Sequence, residues 1–308
     1  MKMNQCIDAG RPGCCPCELA EHGACLVCGK LRGETCQECS WQGVCIASLY
    51  EQNGRKLVKG RSEKLLPVRE IRNYSDDFKV FILEADKGFC QKAQTAGAYV
   101  FVRRDGEKTW YDAPVSVLKA EPDTGMLHLG VYRCGAKTDS LFQAQDFLWI
   151  RGIYYNALAG MGTLSENSEE TFVYAKGIAI APLRNFLDGG SRYTRWMKNL
   201  HLYIDLEKIG FDFFREYFGD LPAEAIEVRS FAREGLCSLD DLDRLEESRQ
   251  ANVLALTSPF YAGQVERAAG RPVVRPIEGN LCCGEGVCGA CTFTDSLGQT
   301  VRRCKMRG

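Results

Sequence analysis

Cysteine is concentrated at the two ends of this chain, and that distribution limits how the ends can fold. Of the 17 cysteines in 308 residues, nine lie between residues 6 and 45 and five between residues 282 and 304. Short segments rich in cysteine and glycine bury too little apolar surface to fold unaided. A secreted disulfide scaffold is small and evenly cross-linked. Here the long middle of the chain holds only three cysteines (Cys90, Cys134 and Cys237). We therefore expect both ends to bind metal.

The charge balance and the hydropathy pattern exclude several classes of partner. The chain has 39 Lys and Arg against 40 Asp and Glu, so we expect no nucleic-acid partner. No apolar run approaches the roughly 18 residues needed to span a bilayer, and we expect no membrane span. The first residues lack the apolar core of a signal peptide. With the many thiols, this predicts a cytoplasmic protein.

The pattern of apolar residues divides the chain into five segments. Short runs of aromatic and β-branched residues, separated by turns such as "EPDTG", predict a small antiparallel barrel. Farther along, strands such as "NVLAL" alternate with helical stretches, which is typical of a parallel α/β sheet. The predicted segments are a cysteine-rich arm (1–48), a linker or lead-in strand (49–66), a flavin-type barrel (67–160), a nucleotide-binding-type α/β domain (161–270) and a cluster module (271–308).

The C-terminal cysteines have a diagnostic spacing. Cys283-x4-Cys288-x2-Cys291, followed at a distance by Cys304, is the plant-type [2Fe–2S] spacing. The glycines in this loop suit it to wrapping a cluster, because glycine allows positive φ and close approach of backbone N–H groups to the sulfurs. A zinc knuckle is the alternative, although it more often shows two CxxC pairs. Cys282 is the spare thiol.

This loop also carries a resemblance. "LCCGEGVCGACTF" resembles the iron–sulfur segment of the electron-transfer subunits of dihydroorotate dehydrogenase, within the ferredoxin–NADP reductase superfamily. The resemblance implies a ferredoxin reductase-like fold, in which a flavin-binding β-barrel, a nucleotide-binding α/β domain and a [2Fe–2S] module follow one another. It covers about three quarters of the chain and leaves the N-terminal arm unexplained.

The flavin motif of that family is partly kept. The family binds FAD through R-P-x-S, and "APVS" keeps Pro114 and Ser116 but has Ala113 in place of the arginine that pairs with the pyrophosphate. The resemblance implies further flavin contacts at Gly135, Thr138 and Gly152. Two alternatives stay open: FAD bound through other contacts, or a barrel that no longer holds flavin.

The nucleotide turn departs further from the family. The family sequence resembles "GGGIGIAPL", whereas this chain has "AKGIAIAPL", which keeps Gly177 and Pro182. Ala175 and Lys176 replace two glycines at the point where a pyrophosphate approaches the backbone. We expect NAD(P) to bind weakly or not at all.

The arm contains two CxxC pairs, Cys25–Cys28 and Cys36–Cys39, which together suit a tetrahedral zinc. "CCPC", with Cys14 and Cys17, has a proline among cysteines as ferredoxin ligand runs do. Spacing alone does not choose between zinc and an additional iron–sulfur cluster. It does not show how Cys6, Cys15, Cys45 or His22 take part.

The functional prediction is an iron–sulfur electron-transfer subunit of a multi-subunit oxidoreductase, rather than a complete enzyme alone. It relays electrons through the C-terminal [2Fe–2S] cluster to or from a catalytic partner subunit. One alternative is a self-contained FAD- and NAD(P)H-dependent reductase with non-standard cofactor contacts. A second alternative is a zinc-binding assembly or scaffold protein.

Overall fold

A computed structural model describes the chain except residues 1–5, 38, 59, 189–190, 295–297, 299 and 307–308, and gives only the backbone at 191–192. The chain divides into two compact units. One combines residues 1–64 with 278–307, and the other spans residues 65–277. The five-segment division stays a prediction, but both cysteine-rich ends belong to one unit. Within the described residues, no helix has the length and apolar character that a membrane span requires.

The strands, in chain order, are β1 Glu63–Ser75, β2 Phe78–Glu84, β3 Tyr99–Arg104, β4 Ala113–Glu121, β5 Met126–Tyr132, β6 Phe147–Tyr154, β7 Leu158–Ala159, β8 Thr171–Lys176, β9 Leu200–Asp205, β10 Ile226–Val228, β11 Asn252–Leu256, β12 Arg275–Pro276, β13 Thr292–Thr294 and β14 Thr300–Arg302. The α-helices are α1 Glu18–Glu21, α2 Ile46–Gln52, α3 Lys87–Ala93, α4 Ala136–Leu141, α5 Ala181–Asp188, α6 Ser191–Thr194, α7 Gly210–Phe218, α8 Phe231–Glu234, α9 Leu239–Glu247 and α10 Pro259–Ala269. Both α2 and the start of β1 lie partly within the predicted linker.

The first half of the larger unit is a closed barrel with strand order β1-β2-β5-β4-β3-β6. Each strand in this order pairs antiparallel with the next. Alternate residues of these strands fill its interior, as the period of two along a strand requires. Val100 and Val102 of β3 pack there with Val115 and Val117 of β4. The antiparallel barrel expected from the sequence is confirmed.

The second half is a parallel sheet with order β10-β9-β8-β11. The order reverses between β8 and β11, and ligands of such sheets bind outside the carboxyl ends of the strands at that point. Ser238 caps α9 by accepting the Asp241 N–H at 3.1 Å, and Gly270 ends α10 in the left-handed region. The ferredoxin reductase-like fold class is therefore confirmed.

The smaller unit has little regular structure. Its C-terminal part is the hairpin β13–β14, in which Thr292 pairs with Arg302. Its N-terminal part has a small core of Ala9, Ile46, Ala47 and the thiols Cys6, Cys25 and Cys28. The two parts join where Cys6 forms an antiparallel bridge with Met306 and the Ile7 N–H donates to the Lys305 carbonyl at 2.7 Å.

Candidate functional site

The hairpin β13–β14 brings the C-terminal cysteines together. Cys291 directly precedes β13 and Cys304 follows β14, so pairing of the two strands places their sulfurs 3.2 Å apart. Cys283 contacts both Cys304 and Cys288 through its sulfur. The four cysteines predicted as [2Fe–2S] ligands are thus linked by pairwise sulfur contacts. Cys282 and Cys288 are exposed, Cys283 is half-buried, and Cys291 and Cys304 are buried.

Backbone N–H groups point at these sulfurs. The Glu285 N–H donates to the Cys283 sulfur at 3.3 Å, and the Cys304 N–H donates to the Cys291 sulfur at 3.5 Å. Gly284, Gly286 and Gly289 all have φ between 71° and 78°, a region that favours glycine. At Gly286 a Cβ atom would lie 3.0 Å from both Leu19 and Lys305. This loop therefore has the geometry expected around thiolate ligands.

Contacts among the C-terminal thiols also shift their pKa values. Hydrogen bonding from Cys304 lowers the pKa of Cys283 to about 4 and that of Cys291 to about 6, whereas the same contacts raise the pKa of Cys304. Metal ligation requires the thiolate form. The donor set consists of four sulfurs in pairwise contact, and three of them, Cys283, Cys288 and Cys291, accept backbone N–H groups. It fits the [2Fe–2S] cluster that the spacing indicates.

A buried ion network underlies the cluster loop. Lys305 has no exposed surface, and its ammonium lies 2.7 Å from Asp8 and 2.9 Å from Glu285. Arg61 lies 2.6 Å from Asp8 and 3.1 Å from Glu285. Burial alone would lower the pKa of Lys305, but Glu285 and Asp8 outweigh it and raise that pKa. The network therefore ties the arm to the loop between Cys283 and Cys288.

The arm cysteines differ in exposure. Cys25 and Cys28 are buried, Cys14 and Cys17 are half-buried, and Cys36 and Cys39 are exposed. Over the described part of the chain, no three His, Cys, Asp or Glu side chains gather around a single ion-sized point. The arm ligands named from the sequence remain predictions.

The predicted flavin residues lie on and beside β4 and β6. Pro114 and Ser116 lie on the outer face of β4, whereas Ala113, the position of the family arginine, packs in the barrel interior. Thr138 accepts the N–H groups of Cys134 and Gly135 and so caps α4. A Cβ at Gly152 would lie 3.0 Å from Val100. Thr138 thus serves local structure, and Gly152 relieves packing against β3.

Sequence reasoning missed a charged cluster on this outer face. Asp112 is fully buried, and its two oxygens lie 2.9 Å from Arg103 and 2.9 Å from Arg151. Arg151 stacks over Phe101 at 4.6 Å, beside the stacked pair of Tyr99 and Tyr154. One buried carboxylate thus pairs with two guanidinium groups. Only the strand register brings these residues together, so no local sequence signal indicates them.

The nucleotide turn contains internal ion pairs. The Lys176 ammonium, at the end of β8, lies 2.7 Å from Asp205 and 2.7 Å from Glu207. Gly177 has φ of 54°, and a Cβ there would lie 2.8 Å from the Glu207 carboxylate. Pro182 is buried in the first turn of α5. Two carboxylates thus lie beside the turn where a pyrophosphate would approach.

Comparison with known proteins supports the fold. No family model matches the chain, and no curated protein sequence matches it. A chain of the NADH-dependent reduced ferredoxin–NADP oxidoreductase, described in the context of flavin-based electron bifurcation, is similar in structure. Its TM-score is 0.59 at 20% identity, covering 79% of this chain and 87% of that one. Phthalate dioxygenase reductase, described as a modular structure for electron transfer from pyridine nucleotides to [2Fe–2S], has a TM-score of 0.54 at 13% identity. The match covers 80% of this chain and 95% of that one.

Proposed function

We propose that this chain is an iron–sulfur electron-transfer subunit of a multi-subunit oxidoreductase. The observation that carries the proposal is the convergence of Cys283, Cys288, Cys291 and Cys304 within a loop whose N–H groups face the sulfurs. A ferredoxin reductase-like barrel and α/β sheet in the same chain agree with it. The same proposal includes a catalytic partner subunit. It also includes metal in the arm, bound by Cys14, Cys17, Cys25, Cys28, Cys36 and Cys39.

The chain's own residues hold and tune the site. The four thiolates would ligate a [2Fe–2S] cluster, which exchanges single electrons when bound. The Glu285 and Cys304 N–H groups stabilise sulfur charge, and hydrogen bonds of this kind raise the reduction potential. Lys305 and Arg61 fix Glu285, and with it the loop. Cys291 and Cys304 are buried, which limits the access of water.

Anaerobic purification of the full chain tests this function. We expect iron and acid-labile sulfide, an absorption spectrum of a [2Fe–2S] cluster, and loss of that spectrum in Cys291→Ser. The matched control is Cys282→Ser, which removes the exposed neighbouring thiol and should leave the spectrum unchanged. Zinc at both ends with no iron would overturn the proposal and favour a zinc-binding scaffold.

A second candidate is a reductase that binds FAD through non-standard contacts. The position of Arg151 favours it, because this guanidinium is held by Asp112 at the outer barrel face and can replace the arginine that Ala113 lacks. Flavin absorption in the purified chain, lost in Arg151→Met but kept in the exposed control Arg69→Met, would support it. Iron without flavin would exclude it.

NAD(P) binding is expected to be weak even if flavin binds. Asp205 and Glu207 already engage Lys176, and their carboxylates disfavour an incoming phosphate. Addition of NADH should therefore bleach the flavin or the cluster slowly, if at all. Rapid bleaching at micromolar NADH would contradict this expectation.

A further inference from the structure

A buried carboxylate from the arm lies beside the loop that carries the C-terminal cysteines. Asp8 is almost fully buried, and both of its oxygens are engaged: Oδ1 lies 2.6 Å from Arg61, and Oδ2 lies 2.7 Å from Lys305. Arg61 is also buried and comes from the segment just before β1. Asp8 and Arg61 both precede the part of the chain that resembles the ferredoxin–NADP reductase superfamily. The resemblance therefore assigns them no role.

The ion network is attached to the C-terminal site at two points. Lys305 directly follows the ligand Cys304, so their Cα atoms are about 3.8 Å apart. Glu285 lies two residues after the ligand Cys283, and its N–H donates to the sulfur of that ligand at 3.3 Å. The Glu285 carboxylate lies 3.1 Å from Arg61 and 2.9 Å from Lys305. The network thus reaches the main chain beside two of the four ligands.

The arm also covers this side of the loop. Leu19 of α1 is buried, and a Cβ at Gly286 would lie 3.0 Å from its Cδ1 atom. The Ile7 N–H donates to the Lys305 carbonyl at 2.7 Å, which holds the arm against the residue that follows Cys304. These contacts limit the access of water to the ion network. Charges act on one another more strongly in such a water-poor region than in bulk solvent.

Asp8 and Arg61 both carry their charge in this environment. Burial raises the pKa of Asp8, but Lys305 and Arg61 outweigh burial and hold that pKa below its usual range. A guanidinium group keeps its proton under all conditions in which proteins fold. The two side chains therefore place one negative and one positive charge beside the C-terminal site.

Such charges affect how readily a cluster accepts an electron. Reduction of a [2Fe–2S] cluster adds one negative charge, so a nearby carboxylate opposes reduction and a nearby cation favours it. The charge around a cluster and its exposure to solvent are among the factors that set its reduction potential. Buried charges keep this influence at physiological salt, whereas exposed charges are screened.

We propose that Asp8 and Arg61 are positioning residues that tune the reduction potential of the C-terminal cluster, which Asp8 lowers and Arg61 raises. Asp8 acts beside Lys305, and Arg61 acts beside Glu285. The arm is then a working part of the C-terminal site, independently of any metal that the arm itself binds. The inference deepens the proposed electron-transfer function and rests on it for the presence of the [2Fe–2S] cluster.

Redox titration of the anaerobically purified full chain tests the proposal. The signal is the electron paramagnetic resonance spectrum of the reduced [2Fe–2S] cluster, identified by its loss in Cys291→Ser. At the wild-type midpoint potential, the ratio of reduced to oxidised cluster should rise about three- to tenfold in Asp8→Asn. It should fall by a similar factor in Arg61→Gln. A tenfold change corresponds to about 59 mV for one electron.

The opposite signs separate an electrostatic effect from a structural one. Loosening of the loop would shift the midpoint in the same direction in both variants, whereas loss of opposite charges shifts it in opposite directions. Asp8→Glu, which keeps the charge, should lie closer to wild type than Asp8→Asn. The matched controls are Glu21→Gln and Arg55→Gln, which remove the same charges from exposed positions and should leave the midpoint unchanged.

Equal midpoints in wild type, Asp8→Asn and Arg61→Gln would overturn the proposal, and so would a shift of both variants in one direction. Either result would leave the [2Fe–2S] function standing, whereas a wild-type chain without the [2Fe–2S] signal would overturn both. If Asp8→Asn does not retain the cluster, Glu285→Gln removes a negative charge from the same network at a half-buried side chain. That variant should also raise the midpoint, and a midpoint at or below that of wild type would overturn the proposal.

Discussion

The ammonium group of Lys305 lies 2.7 Å from the carboxylate of Asp8, although the two residues are 297 positions apart in the chain. Both side chains are almost completely buried. A buried ion pair of this kind contributes less net stability than its Coulomb energy suggests, but removing one partner leaves a buried charge uncompensated. The pair therefore makes the arm and the cluster loop depend on each other.

Lys305→Met tests this dependence. The substitution keeps the length and apolar contacts of the side chain but removes the cation that Asp8 and Glu285 both contact. We expect a loss of about 3–5 kcal/mol in unfolding free energy. It should appear as a lower denaturant midpoint for loss of the cluster absorbance. The control is Lys198→Met, because Lys198 forms an exposed pair with Glu169 and should change little.

Gly286→Ala tests the fit of the cluster loop. Gly286 and Gly298 have similar φ values, 78° and 74°, so alanine strains the backbone at both. Only at Gly286 would the new Cβ meet other atoms, Leu19 and Lys305 at 3.0 Å, whereas nothing lies within 4 Å at Gly298. We expect purified Gly286→Ala to retain much less [2Fe–2S] absorbance than Gly298→Ala. Equal retention would show that the close contact is unimportant.

Asp112→Asn tests the charged cluster on the barrel. The change removes the carboxylate that neutralises Arg103 and Arg151 in a buried position. We expect the free energy of unfolding to fall by about 3–5 kcal/mol. Asp123→Asn is the matched control, since Asp123 is almost fully exposed and pairs with exposed Lys87. If Asp112→Asn lowered the free energy of unfolding as little as the control does, Asp112 would not be the essential partner of Arg103 and Arg151.

His128 should make stability depend on pH. Burial lowers the pKa of His128 to about 4, and its ring lies 2.9 Å from the Tyr217 hydroxyl. As the pH falls, the His128 imidazole of the unfolded chain therefore binds a proton near pH 6.5, whereas that of the folded chain does so only near pH 4. Stability should be full above pH 6.5 and fall as the pH drops toward 4, by roughly 3 kcal/mol in total. Denaturant melts at several pH values measure it, and His128→Phe should flatten the curve across that window.

Features that depend on neighbouring residues could be predicted from the sequence. The cluster spacing and its glycines lie within 22 residues, from Cys283 to Cys304, and the structure brings these four cysteines together. The helix cap at Ser238 and the left-handed Gly270 are likewise local features, because each is determined by its own turn. The alternation of apolar residues was enough to predict the barrel and the parallel sheet.

Features that depend on long-range pairing could not be predicted. Asp112, Arg103 and Arg151 meet only because β3 pairs with both β4 and β6 in a particular register. Lys305 is buried against Asp8, a residue 297 positions earlier in the chain.

The smaller unit is assembled from residues 1–64 and 278–307, and this affects when it can form. At about 5–20 residues per second, the ribosome needs on the order of ten to fifty seconds to pass from the first segment to the second. During that time Asp8 and Cys6 have been made, but Lys305 and Met306 have not. The arm thiols are therefore accessible to oxidants and metal ions until Lys305 and Met306 have been synthesised. The small unit can therefore close only after the last residues of the chain have been made.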